Sequence, residues 1–198
     1  MKKDTPDFTN AEIFIISMLE EKLSPSLKYH NKDHTLDVLQ VAMKIAEIEN
    51  ISADEIKLLR MAVLFHDAGF IYVYRMHEEK SCDMVREFLP GFHFSGEQIG
   101  VICEMIMATK VPQTPMTKLD QIIADADLDY LGREDVFTTA QKLYEEMKLH
   151  DLLPDDRAWI PFQVKFLIKH NYFTEYSIER RGPNKELYLK KIMEKLNH

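Results

Sequence analysis

The sequence predicts an all-α fold, a single helical bundle. Three observations carry that expectation. Apolar residues recur at spacings of three and four along most of the chain, the period of a helix with one buried face. No stretch of any length alternates apolar and polar residues as a half-buried strand does. Glycine and proline, six and eight of 198 residues, fall in a few clusters between the periodic segments.

The first helix is expected over residues 8–23, with Phe14, Ile15, Met18, Leu19 and Leu23 on one stripe. Ser24-Pro25-Ser26 ends it. The polar turn Tyr29-His30-Asn31-Lys32-Asp33-His34 leads into a second helix that turns Val38, Val41, Ala42, Ile45 and Ile48 inward. Ser52 and Glu55 have the spacing of a capping box and should start a third helix, apolar from Ile56 to Phe65, that ends at His66-Asp67. Gly69 is expected to take a positive φ and stop it. Residues 71–77 read as a loop or a short aromatic-rich turn. Further helices are expected over 78–89, from a second capping box at Ser95 and Gln98 to Ala108, over 119–131, over 135–149 and from Pro154 to about His170. Residues 171–183, with Arg180-Arg181-Gly182-Pro183, read as a connection before a closing helix over 185–196. No repeat, low-complexity run or linker divides the chain, so one domain is expected over 7–198, its core about 28–135 and its helices from 136 packed on that core.

Composition narrows the function. The formal net charge is −8, a poor match to nucleic acid or to an anionic membrane. Cys82 and Cys103 make no disulfide framework and no metal-type spacing, which suggests a reducing compartment. The apolar run Ile13–Ile16 is far too short to span a membrane, and the expected location is cytoplasmic. A homodimer is compatible with all of this.

The chemistry gathers at helix ends. His66-Asp67 closes an apolar helix, an odd choice for packing and a good one for a divalent metal. His34 and an aspartate of Ala124-Asp125-Ala126-Asp127-Leu128-Asp129 stand at or near the ends of other apolar helices. Two imidazoles and two carboxylates form a mixed nitrogen and oxygen set suited to Mn, Fe, Ni, Co, Zn or Mg, with positions left for water and substrate.

The ordered set His34, His66-Asp67 and Asp125 resembles the signature of the HD-domain metal-dependent phosphohydrolases, which are all-helical and bind a catalytic divalent metal through four such residues. The resemblance covers about residues 28–135. It implies His34, His66, Asp67 and Asp125 as metal ligands. Asp125 is favoured because Ile123-Ala124-Asp125 followed by Asp129 reproduces the ppGpp hydrolase pattern, and Asp127, about 200° further round the helix, is the alternative. Tyr29-His30-Asn31-x-x-His34 is similar to the opening of the cyclic-nucleotide phosphodiesterase signature and implies His30 as the proton donor. The resemblance implies a small phosphoester, a nucleotide above all, as substrate. His77 and Glu78 are expected to face it, and Lys110 and Arg133 are candidates for the positive charge that a phosphate needs. The pattern departs from several branches after His66-Asp67. Ala68-Gly69-Phe70-Ile71 lacks the acidic pair of the ppGpp hydrolases, the glutamate of the bacterial deoxynucleotidases and the further histidine of the mammalian phosphodiesterases. A non-catalytic nucleotide- or protein-binding module and a di-iron oxygenase are the competing readings, the latter requiring more histidine ligands.

Overall fold

A computed structural model describes residues 5–196; residues 1–4 and 197–198 lie outside the described part. The described residues form α-helices joined by turns and short 3₁₀ segments, and contain no strand. In chain order the helices are α1 (Phe8–Lys22), α2 (Lys32–Ile48), α3 (Ala53–Phe65), α4 (His77–Phe88), α5 (Gly96–Ala108), α6 (Lys118–Asp127), α7 (Val136–Leu149), α8 (Trp159–Lys169) and α9 (Glu175–Glu194). The all-α expectation holds. None of the described helices is long and apolar enough to cross a membrane.

Local chemistry sets most of the helix starts. Both expected capping boxes form: the Ser52 and Ser95 hydroxyls accept from the backbone of Glu55 and Gln98, whose side chains accept from the serine N–H groups in return. Thr117 and Asp120 make a third, in front of α6. The Asn31 side chain accepts from His34 N–H at 3.1 Å, so the residue that starts α2 also holds the backbone of His34.

Two apolar clusters organise the helices. The larger joins α1 to α6 around fully buried residues such as Ile15, Ile45, Leu59, Phe65, Met105 and Ile122. The smaller joins Tyr29 and the 3₁₀ turn Asp129–Gly132 to α7, α8 and α9 through Leu131, Trp159, Leu167, Tyr188 and Ile192. At about 25 cal/mol per Å² of apolar surface buried, each such side chain contributes roughly 1.5–3 kcal/mol.

Three sequence expectations are corrected. The helix expected over 119–131 ends at Asp127 and continues as the 3₁₀ turn. Residues 171–183 are not a connection, because α9 begins at Glu175 and runs through Gly182-Pro183. An internal proline removes one backbone hydrogen bond and clashes with the preceding turn. The helix persists because one continuous face, Ser177, Lys185, Tyr188 and Ile192, is buried on both sides of the proline. Nor does Gly69 take a positive φ. Its requirement is space: an added Cβ would run into the backbone carbonyl of His77, where the start of α4 meets the 3₁₀ turn Ala68–Ile71 that follows α3.

Replacing Gly69 with alanine should therefore cost about 1–3 kcal/mol, the usual range for overpacking. Gly100, exposed inside α5 with open space where a Cβ would stand, should gain about 1 kcal/mol on the same change. Urea unfolding of the two variants beside the parent measures both signs.

Candidate metal centre

His34 lies on the first turn of α2, His66 and Asp67 follow the last residue of α3, and Asp127 is the last residue of α6. Their tips converge. His34 Nε2 is 3.4 Å from Asp67 Oδ2 and 3.2 Å from Asp127 Oδ1; His66 Nε2 is 3.3 and 3.6 Å from the same two oxygens. His34, His66 and Asp127 each offer one ligand atom within 4.8 Å of the others, and Asp67 Oδ2 stands among them.

These atoms are close without being hydrogen-bonded. His34 Nε2, His66 Nε2 and Asp67 Oδ2 are buried and have no hydrogen-bond partner. Orphaned buried polar atoms are costly and rare. Ligands held about 2.0–2.2 Å from one ion lie roughly 3–3.5 Å apart, so the observed spacing is that of a coordination shell. The His66 ring is oriented for the task. Its Nδ1 donates to the Val63 carbonyl at 2.7 Å, which leaves the Nε2 lone pair facing the cluster. Ser81 braces the same turn by accepting from Gly69 N–H and donating to the His66 carbonyl, both at 2.8 Å. The donor set and its spacing fit a divalent metal.

The electrostatics agree. Burial opposes charge on every group, yet Asp127 and Asp67 carry the His34 imidazole up to about 9 and raise His66 well above its ordinary value. In return, against the same burial, His34 and His66 hold the Asp127 carboxyl down at about 2, and His66 and His34 hold Asp67 well below the carboxylate range. Four desolvated polar groups balance one another around a point where a cation would sit.

At the fourth position the geometry differs from the sequence expectation. Asp125 does not reach the cluster. It points the other way along α6, accepting from Phe173 N–H at 2.9 Å and from Thr174 N–H and Oγ1 at 2.8 and 2.7 Å. Thr174 is the N-cap of α9, so Asp125 anchors the start of that helix. Burial pushes the Asp125 carboxyl up, against the opposing pull of Thr174 and Phe173. Asp127 takes the place beside the imidazoles.

The remaining assignments divide. His30 stands beside the cluster with its ring stacked on Phe70, 4.3 Å between centroids, and His77 stacks on Phe70 at 3.9 Å. His77 Nε2 is 3.4 Å from Asp67 Oδ1, the carboxylate oxygen turned away from His34 and His66, and His77 Nδ1 is 3.5 Å from Glu78. Burial would lower the His77 imidazole, but Asp67 raises it. Glu78 is buried. A cavity of about 230 Å³ opens from this point and is lined by His30, Asp67, His77, Glu78 and Asp127. Lys110 and Arg133 do not line it. Lys110 pairs with Glu79, and Arg133 donates to both Asp37 oxygens at 2.8–2.9 Å and to Asp135 at 3.1 Å. Each expected phosphate-binding cation is thus committed to a carboxylate.

Glu146 on α7 is the residue that sequence reasoning missed. Fully buried, it accepts from Tyr29 N–H at 2.8 Å, His30 N–H at 3.0 Å, the Tyr74 hydroxyl at 2.8 Å and His30 Nδ1. Burial would raise its carboxyl, but His30, Tyr29 and Tyr74 hold it at about 2, so it is an acceptor throughout the neutral range. His30 Nδ1 must therefore carry a proton, and Nε2 is the nitrogen left for chemistry. The available signal was a glutamate beside the apolar stripe Val136, Ala140, Leu143 and Met147, where an exposed face would be expected.

With this geometry in view, comparison with known proteins names the family. A model of the HD domain matches residues 32–129. The chain belongs to the HD-domain superfamily. This HD-domain protein also shares its fold with a crystal structure of a predicted HD superfamily hydrolase from an uncultured Thermotogales bacterium, at 15% identity and a TM-score of 0.62. That match covers 97% of this chain and 92% of the other, so the likeness in fold extends through α7, α8 and α9. No curated protein matches the sequence.

Two aspartate variants separate the roles on α6. Asp127→Ala should abolish metal retention, measured by elemental analysis after gel filtration, and leave the helical signal in place. Asp125→Ala should retain metal and lose about 3–5 kcal/mol of stability, because buried donors at 173–174 are left unpaired. Glu146 supplies a pH signature. Its carboxyl falls from an ordinary 4.5 to about 2 on folding, so its contribution is present above about pH 4.5 and disappears as the pH drops through 2. Urea unfolding from pH 6 to 2 should show Glu146→Gln with a shallower loss of stability than the parent over that window.

Proposed function

We propose that this HD-domain protein is a metal-dependent phosphohydrolase that cleaves a phosphomonoester or phosphodiester, with a nucleotide as the favoured substrate class. The observation that supports the reading best is the convergence of the His34, His66, Asp67 and Asp127 ligand atoms at 3.2–3.6 Å, His34 Nε2, His66 Nε2 and Asp67 Oδ2 lacking hydrogen-bond partners. A divalent ion held there supplies a Lewis acid toward a phosphoryl oxygen and lowers the pKa of water.

The chain's own residues do the rest. Asp67 reaches the cluster with Oδ2 and His77 with Oδ1, which fixes the plane of its carboxylate. His30 is the proton donor to the departing alkoxide, through Nε2. Glu146 is its positioning residue: it takes the Nδ1 proton as a hydrogen bond, and its backbone contacts hold residues 29 and 30 in place. Phe70 stacks on both the His30 and the His77 ring, which limits the swing of both imidazoles.

A screen of nucleotides and simple phosphoesters with manganese, cobalt, nickel, iron, zinc and magnesium tests the reading. Hydrolysis of at least one class, lost on Asp67→Ala together with the metal, is expected. Purified protein carrying two irons per chain and inert toward every phosphoester would favour the oxygenase reading; metal without any turnover would favour a binding module. His30→Ala should retain metal and lose about 10²–10⁴-fold in rate on substrates with poor leaving groups, with a far smaller loss on nitrophenyl esters. Equal losses on both would remove the proton-donor role.

A further inference from the structure

We propose, building on the phosphohydrolase reading, that the substrate is a singly charged phosphodiester bearing one compact, uncharged, flat or apolar group, and that dianionic monoesters and polyphosphates are selected against. The cavity beside the metal centre carries the inference. It runs from His30, Asp67 and Asp127 into the smaller apolar cluster, where Leu131, Leu143, Met147, Trp159, Phe162 and Phe166 line it.

Charge comes first. Among the described residues, no lysine or arginine lines the cavity, while Asp67, Asp127 and Glu78 do. Asp67 and Asp127, the carboxylates that meet His34 and His66, would neutralise a divalent ion, and Glu146 behind His30 adds a further negative charge. Lys110 and Arg133 are held by Glu79 and by Asp37 and Asp135. Arg181 is held by Asp129 at 2.6 Å. Beyond the His30 and His77 imidazoles, which face Glu146 and Asp67, little positive charge remains for a second or third anionic phosphate oxygen, and bringing a polyanion into an apolar-walled site with so few cations is costly.

Shape and polarity come second. At about 30 Å³ per water, a cavity of about 230 Å³ accommodates a group of roughly eight non-hydrogen atoms. Its uncharged polar groups are tyrosine hydroxyls, one amide and one threonine. Buried Gln163 donates through Nε2 to the Tyr188 hydroxyl at 2.5 Å, which leaves one hydroxyl donor and one amide carbonyl acceptor available on that wall. Thr109, also on the lining, has spent its hydroxyl on the Ile106 carbonyl at 2.8 Å. Tyr29 and Tyr130 also line the cavity, so an aromatic wall carrying a few hydroxyls and one amide favours an uncharged ring over a charged head group.

Trp159 is the only tryptophan of the chain and lines the cavity, so binding is readable without turnover. Metal-loaded protein is titrated with methyl phenylphosphonate (singly charged, with a ring), phenylphosphonate at pH 8.5 (doubly charged, same ring) and dimethyl phosphate (singly charged, no ring). Trp159 fluorescence and calorimetry give the affinities. Methyl phenylphosphonate is expected to bind at least about tenfold more tightly than either of the others and to shift the Trp159 emission. Leu143→Phe, at a half-buried lining position, should cut that affinity about tenfold and leave metal content and dimethyl phosphate affinity unchanged. Equal or tighter binding of phenylphosphonate overturns the charge rule, and equal binding of dimethyl phosphate overturns the role of the cavity. Hydrolysis that proceeds equally well on nucleoside triphosphates would sink this inference while sparing the phosphohydrolase reading. The expected ranking without any hydrolysis would sustain the ligand class and count against the enzyme.

Discussion

The desolvation of four ionisable side chains at one point governs this molecule. His34, His66, Asp67 and Asp127 come from the ends of three helices, and all four are largely withdrawn from water. Isolated charges there would cost several kcal/mol each, so the helices can meet only in an arrangement that lets two imidazoles and two carboxylates compensate one another. The local scaffold is built to that requirement. Asn31 caps the helix that presents His34, the Val63 carbonyl sets the His66 ring, and Ser81 locks the turn between α3 and α4. Gly69 lets the His77 backbone approach closely enough for its ring to reach Asp67.

The C-terminal helices complete the site as well as covering it. Glu146 on α7 collects two backbone N–H groups, a tyrosine hydroxyl and the His30 ring, and so ties the first residues of the motif to a helix more than a hundred positions later. Asp125 binds the start of α9 while Asp127, two residues on, faces the imidazoles. One short helix thus uses its two faces for two tasks, and α6 connects the start of α9 to the candidate metal centre. The smaller apolar cluster, formed by these same helices, walls the cavity that opens from the site.

Much of this was open to sequence reasoning where the physics is local. Helix period, capping boxes and the abrupt end of an apolar run at His66-Asp67 all act within a few residues, so the all-α class, most helix boundaries and three of the four clustered residues could be read directly. The difficulties arose where a tertiary partner chooses between local equivalents. Ala124-Asp125 and Ala126-Asp127 are near repeats, and pattern alone favoured the first. Pro183 is a helix breaker by propensity, overridden here by a buried face that spans it. Lys110 and Arg133 look free in sequence, and only their neighbours Glu79, Asp37 and Asp135 show them to be occupied.

The sequence by itself determined the helices, the pairing of histidine with aspartate at a helix end and the expectation of a metal, because those follow from periodicity, capping and ligand chemistry along a few consecutive residues. Tertiary structure alone decided that Asp127 and not Asp125 joins the imidazoles, that Glu146 stands behind His30, and that among the described residues no lysine or arginine lines the cavity beside them. The physical reason is that each of these depends on which face of one helix a distant helix covers, and burial of that kind is a property of the assembled bundle.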